Sequence, residues 1–244
     1  MKTLIIGATS AIAHETAKLL AHDGADFFLV GRSQEKLQIL EQDLLVRGAK
    51  HVYGMAVDVC QLDRHQHVID TAIDRLQGLD SVLIAHGTLG NQTRSEESVK
   101  EALQEFTTNC LSVISLLTIL GNYFERQKSG CIAVITSVAG DRGRQSNYVY
   151  GSAKGAVSLF LQGLRNRLTR HNVHVVTIKP GMVDTPMTEQ LEKNLLFADP
   201  QVVGKRIYHV LHHPQDVVYV PYYWSIVMKV IQSIPERVFK TLNL

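Results

Sequence analysis

Short apolar runs alternate along this chain with longer stretches of helical periodicity, and that alternation limits the fold more than any other feature. The apolar runs are residues 3–7, 25–30, 51–57, 81–85, 131–136, 173–178 and 217–220. The helical stretches are 11–22, Ser33 as a cap through about 47, 62–76, 95–126, 150–170 and 202–212. Runs apolar on both faces read as strands covered on both sides, and parallel neighbours need a crossover that the intervening helices supply. The chain is therefore expected to be α/β: one doubly wound parallel sheet with helices on both faces, spanning residues 1–220. At 244 residues there is ample material for one large core. Residues 186–200 read as an irregular or partly helical loop at the substrate side. Residues 221–244 fall outside the alternation and form an amphipathic tail.

The first strand runs into Gly7-Ala8-Thr9-Ser10-Ala11-Ile12 before the first helix. In a doubly wound sheet this turn faces the carboxyl ends of the strands, where ligands bind. Small residues let the backbone approach a pyrophosphate, and the helix start offers free N–H groups. A tight turn with no ligand is the competing reading. The second strand ends Val30-Gly31-Arg32-Ser33, with no acid to hold a ribose 2′-hydroxyl. A guanidinium with Ser33 and Ser10 nearby suits a 2′-phosphate, which favours NADP(H) over NAD(H). Arg32 as a plain surface residue would leave that choice open. Asp58, after the third strand, is either an adenine acceptor or a loop cap.

Tyr150 and Lys154 stand four residues apart at a helix start, on one face. A cation there is expected to lower the tyrosine pKa and prepare the phenol for proton transfer. An exposed Tyr and an exposed Lys would have the same spacing.

Taken in order along residues 1–220, these features resemble the short-chain dehydrogenase/reductase family. The cofactor motif falls on Gly7, Ala11 and Ala13, the Tyr-x-x-x-Lys on Tyr150 and Lys154, the serine on Ser137, the helix asparagine on Asn109, and the Pro-Gly on Pro180-Gly181 followed by Val183 and Thr185. Two departures are visible: alanines replace the later glycines of the cofactor loop, and the family's Asn-Ala-Gly reads Ala85-His86-Gly87. The resemblance implies a Rossmann-like fold and an NAD(P)-dependent oxidoreductase acting on CH–OH/C=O. Tyr150 would be proton donor, Lys154 would tune it and bind ribose, Ser137 would hold the reacting oxygen, and Asn109 would hold a relay water. The implied cofactor set is Gly7, Thr9, Ser10, Ala11, Ile12, Arg32, Ser33, Asp58, Val59, Ala85, Gly87, Tyr150, Lys154, Pro180, Gly181, Val183 and Thr185. A homodimer or tetramer through the helices near 95–126 and 150–170 is also implied.

The substrate end is less defined. Arg142 and Arg144, between Ser137 and Tyr150, would either hold a phosphate or carboxylate or be solvated surface charges. In the tail, Trp224, Val227, Met228, Ile231, Ile234, Val238 and Leu242 recur at helical spacing, with Lys229, Arg237 and Lys240 making it mildly basic. Such a stretch either packs on the core or a partner subunit, or lies in a membrane interface. The stretches 137–142 and 146–154, with the tail, are similar to the keto-reductase half of the decaprenyl-phosphoryl-ribose 2′-epimerase system. That resemblance implies a lipid-phosphate-linked ketosugar or another membrane-associated ketone. A soluble 3-oxoacyl-thioester or general carbonyl reductase is the alternative, and a non-catalytic NAD(P)-sensing regulator is the alternative of another class.

The net charge of +2 gives no basic field for nucleic acid. Cys60, Cys110 and Cys131 have no CxxC spacing and read as reduced thiols, and the eleven histidines form no recognisable metal motif, so no metal is expected. No signal peptide is read at the start, and no apolar run approaches about 18 residues. The expected location is cytoplasmic, with peripheral contact at the inner membrane face left open by the tail.

Overall fold

The structure, a computed structural model, describes residues 1–190 and 192–242. Leu191, Asn243 and Leu244, in the expected loop and tail, lie outside the described residues. Among those residues β1 (Lys2–Ile6), β2 (Asp26–Gly31), β3 (His51–Ala56), β4 (Ser81–Ile84), β5 (Gly130–Ile135), β6 (Val173–Pro180) and β7 (Val217–Val220) form one sheet. Its order is β3-β2-β1-β4-β5-β6-β7, and every pair is parallel. The expected doubly wound fold is thus present. β1 sits between β2 and β4, where the strand order reverses, so the carboxyl ends of β1 and β4 open a crevice at that point.

The two faces bury separate cores. On one, Ile5, Leu29 and Val176 of the strands meet Ala17 and Leu20 of α1 (Ala11–His22), Leu37 of α2 (Gln34–Val46) and Ile207 of α8 (Pro200–His212). On the other, Leu4, Ile6 and Val134 meet Ile69 of α3 (His65–Leu76), Leu117 of α6 (Ser112–Gln127) and Leu161 of α7 (Tyr148–Leu168). Successive strand residues point to opposite faces, which is why unbroken apolar runs were needed. Helix starts follow from side-chain caps: Ser33 Oγ accepts from Lys36 N at 3.3 Å, and Asp199 Oδ1 accepts from Gln201 N at 2.7 Å.

The helical stretch expected over 95–126 is interrupted twice. Ser98 is extended and its hydroxyl caps a new helix, so α4 (Gln92–Glu97) and α5 (Val99–Phe106) are separate. Between α5 and α6 the chain widens into a π-helical turn, Thr107–Leu111. There Thr107, Thr108 and Asn109 side chains bond back to the Leu103, Gln104 and Glu105 carbonyls, and such polar groups compete with the regular ladder. Contrary to the sequence reading, Val99–Gln127 is long and apolar enough by length and composition to cross a membrane. Its apolar face, however, is core: Cys110, Val113, Leu116, Leu120 and Phe124 are buried against the sheet. Beyond β7, α9 (Trp224–Ser233) and α10 (Glu236–Phe239) complete the described chain.

Candidate active site

A cavity of about 720 Å³ follows the crevice from the β1–α1 turn to the tail. At one end Gly7 has φ +83°, and a Cβ there would lie 2.5 Å from His86 N, so only glycine fits. Ser10 precedes α1 without a side-chain cap, and Thr9, Ser10, Ala11 and Ile12 line the cavity. That leaves the helix start to an anionic ligand. Arg32 is exposed at the cavity edge, and no ion pair forms on it among the described residues. Asp58 and Val59 line the same wall, and Asp58 Oδ1 accepts from Cys60 N at 2.9 Å, so it is a turn cap whatever else it does. Ser33 is engaged in its cap and is not part of the cavity wall. A dinucleotide phosphate chain fits this donor set.

At the other end stand Ser137, Tyr150 and Lys154. Ser137 follows β5, and the short turn Val138–Asp141 folds straight onto the first turns of α7. The approach depends on glycines: a Cβ at Gly140 would lie 2.6 Å from Gly155 N, and one at Gly151 would lie 2.8 Å from Ala139 O. This contact sets Ser137 beside Tyr150. Ser137 Oγ accepts from Ala139 N at 3.1 Å, leaving its proton free for another partner. Lys154 is buried, donates to Ile135 O at 3.2 Å, and its Nζ lies 5.8 Å from the Tyr150 ring centre.

Burial dominates the ionisation of both groups. It pushes the Tyr150 phenol up to about 12; the Ser137 hydroxyl opposes that, and the Glu105 carboxylate adds to it. Lys154 does not pull the phenol below its ordinary value here, which corrects the sequence expectation. Burial also draws the Lys154 ammonium down to about 8, against the raising effect of Glu105 and Cys110.

Asn109 is fully buried and lies behind the cavity wall, not in it. Its amide is fixed: Nδ2 donates to Glu105 Oε1 at 2.6 Å and Thr88 O at 3.0 Å, while Oδ1 accepts from Thr88 N at 3.2 Å. A Cβ on Gly87 would lie 2.6 Å from Asn109 Oδ1 and 3.2 Å from Lys154 Nζ, so Asn109 and Lys154 approach the same side of Gly87, which only a glycine leaves open. Glu105 was not foreseen. It is buried at the cavity, accepts from Thr88 Oγ1 at 2.7 Å, and burial raises its pKa. Its spacing of four residues before Asn109 was the available signal.

His86 also escaped notice as a site residue. Ser112 Oγ donates to Thr108 O at 2.7 Å, so it accepts from His86 Nε2–H at 2.8 Å. Burial and the Lys154 charge push the imidazole down to about 3, so it is neutral. Where a family asparagine would brace the sheet, Ala85 only packs, and the brace from β4 to α6 is made one residue later by His86.

The tail closes the far wall. Trp224 and Met228 are buried on Val138, and the indole lies so close over Gly181 that any Cβ there would collide with it. Arg142 belongs to this anchorage: Nη1 donates to Ile234 O at 2.7 Å, Nη2 to Glu236 at 3.0 Å, and the guanidinium lies 3.6 Å above the Phe239 ring. Neither reading offered for the arginine pair, an anion holder or a solvated surface charge, holds for Arg142, whose guanidinium is spent on the tail. Of the two readings left open for the tail, packing on the core holds for Trp224 and Met228, which are buried in the protein.

A short chain dehydrogenase family model matches residues 2–196 of this chain. The chain belongs to the short-chain dehydrogenase family. It is an NAD(P)-dependent oxidoreductase with the Rossmann-like fold of that family. An uncharacterized oxidoreductase of Mycobacterium tuberculosis is 29% identical over 239 residues, covering 98% of this chain and 96% of its own. One from Staphylococcus epidermidis is 32% identical over 186 residues, covering 76% of this chain and 79% of its own. Among solved structures, levodione reductase superposes with a TM-score of 0.83 at 22% identity, over 92% of this chain and 97% of that one, a likeness of fold. Within this short-chain dehydrogenase, the sequence-derived residues Ala85, Gly87, Pro180, Gly181, Val183 and Thr185 all join Gly7, Arg32, Asp58, Ser137, Tyr150 and Lys154 on the one cavity. Ser33 and Asn109 do not reach its wall.

Proposed function

We propose that this chain is a carbonyl reductase that favours NADP(H), working through Ser137, Tyr150 and Lys154 with Asn109 behind them. The observation that carries the reading is the convergence of a protonated phenol, a hydroxyl and a buried ammonium at one end of a cavity whose other end offers a helix start and Arg32. A bound nicotinamide dinucleotide supplies the hydride. Tyr150, with a pKa of about 12, carries its proton at neutral pH and gives it to the carbonyl oxygen. That oxygen becomes alkoxide-like, a stronger base than a phenolate, so the transfer runs downhill. The Ser137 hydroxyl holds the same oxygen in place. Lys154 puts positive charge behind the phenolate that is left, and its pKa of about 8 allows it to return a proton near neutral pH. Asn109, held by Glu105 and Thr88, lies on the same side of Gly87 as Lys154, near enough for a water between them to continue the relay.

Arg32, which pairs with no acid among the described residues, supports the NADP(H) preference over NAD(H). A lipid-linked ketone is supported by apolar side chains left exposed beside the cavity. Tyr222, Ile226 and Val230 of the tail are exposed, Tyr223 ties to the loop at Leu196, next to exposed Leu195, and Met187 on the cavity wall is exposed as well. Contact of this face with a membrane surface follows from the same reading. Exposed Val99, Leu103, Leu111, Tyr148 and Leu159 support assembly of a homodimer or tetramer through α5, the π-helical turn after it and α7.

The test is a turnover screen of ketones, acyl thioesters and lipid-linked ketones with NADPH and NADH in parallel, on the wild type and Tyr150→Phe. Turnover is expected with NADPH in preference, reduced by at least about 100-fold in the variant while NADPH binding persists. Wild-type rates in Tyr150→Phe would sink the assignment. Dinucleotide binding with no turnover of any ketone would favour a sensing role.

A further inference from the structure

Arg144, Asn147 and Trp224 all line the substrate end of the cavity, and Arg144 Nε finds no partner among the described residues. Buried polar groups in native proteins are almost always satisfied, so an arginine left without a partner on a cavity wall marks where a ligand can meet it. Arg144 is a half-buried cation on the cavity wall, and no carboxylate of the described residues pairs with it. The acids around it are already committed. Asp141 is bonded to the Lys179 ammonium and to the Tyr219 hydroxyl at 2.8 Å. Glu105 is held by Asn109 and Thr88, and no bond joins Glu101 to Arg144. Arg142, two residues earlier, is spent on the tail. An arginine remains charged in proteins, and an unpaired buried charge is costly unless something meets it.

Resting on the reductase reading, we infer that Arg144 anchors an anionic group of the substrate, a carboxylate or phosphate on the same molecule as the reacting ketone. The guanidinium offers a planar donor fork that suits either anion. The phosphates of a dinucleotide do not meet this need, because their donors stand at the opposite end, at the β1–α1 turn and Arg32.

Trp224 is the single tryptophan of the chain and lines this cavity, so its fluorescence reports occupancy without any turnover. The experiment titrates the full chain, with and without NADP⁺, with 4-acetylbenzoate, with its neutral isostere 4-acetylbenzamide, with inorganic phosphate and with geranyl phosphate. The carboxylate is expected to bind about 10- to 100-fold more tightly than the amide, phosphate is expected to displace it, and Arg144→Gln is expected to erase the preference. Arg144→Lys, which keeps a charge without the fork, is expected to restore part of it. Equal binding of acid and amide by the wild type, or a preference that survives in folded Arg144→Gln, overturns the inference. If Arg144→Gln does not fold, the wild-type ratio and Arg144→Lys still decide. Tighter binding of geranyl phosphate than of phosphate assigns the anion to a lipid headgroup, and equal binding assigns it to a soluble substrate; both support the anionic subsite. An intact preference with no turnover of any ketone would refute the reductase reading and leave the subsite standing.

Discussion

Gly151→Ala tests whether the glycine contact between α7 and the Val138–Asp141 turn is what positions Ser137. The new Cβ would lie 2.8 Å from Ala139 O, where ordinary contact begins at 3.4 Å, so helix and turn must part by about 0.6 Å. A shift of that order at a reacting centre lowers rates by roughly 10- to 100-fold, since about 1 Å is enough for the upper figure. Stability responds differently. Alanine favours a helix over glycine by about 1 kcal/mol, and overpacking costs about 1–3 kcal/mol, for a net loss of at most about 2 kcal/mol. For a chain of this size that lowers Tm by at most about 8 °C. The assay is kcat/KM on an accepted ketone, alongside NADPH binding and a melting curve. The expected pattern is a large loss of turnover with a small loss of Tm and unchanged NADPH affinity. Wild-type kcat/KM would refute the reasoning, because Ser137 would then be held by something other than this contact.

Glu105→Gln keeps the shape and removes the charge that holds the Lys154 pKa up at about 8. The ammonium then loses its proton at lower pH, so the alkaline limb of kcat/KM for reduction moves down, read across about pH 6–10; an unmoved limb would mean that Glu105 only packs. Arg142→Met leaves the Ile234 carbonyl without its donor and the Ile231 carbonyl with only the Ile234 N–H at 3.3 Å, and is expected to cost about 1–3 kcal/mol. Amide exchange should accelerate in residues 224–239 while the sheet stays protected, and unchanged protection of that segment would remove Arg142 from the anchorage.

The sheet was legible in the sequence because two-sided burial writes itself as unbroken apolar runs, and the crossovers follow from parallel pairing. Much of the site was legible for a related reason. Gly7, Ser137, Tyr150 and Pro180 sit at strand ends or helix starts, so fixing the sheet fixes their neighbourhood. What escaped was whatever depends on contacts between elements. Gly140, Gly151 and Gly155 read as ordinary small residues until α7 and the turn are placed together. Beyond its spacing from Asn109, Glu105 carries no sign in the sequence that Asn109 and Thr88 close around it. Arg142 and Arg144 looked alike, and only the tail's position separates an anchor from an open cation. The Tyr150 pKa was misjudged because spacing reveals a nearby lysine but not how much water burial removes from the phenol.

The indole that closes the cavity over Gly181 comes from a segment that adds no strand to the sheet. It is fastened by Arg142 and one small apolar cluster. Divergence can therefore act on the two ends of the cavity separately. The β1–α1 turn is constrained by the central strand and tolerates little change. The tail can vary in length and side chains, reshaping what the enzyme accepts, while the machinery that handles the dinucleotide is inherited intact.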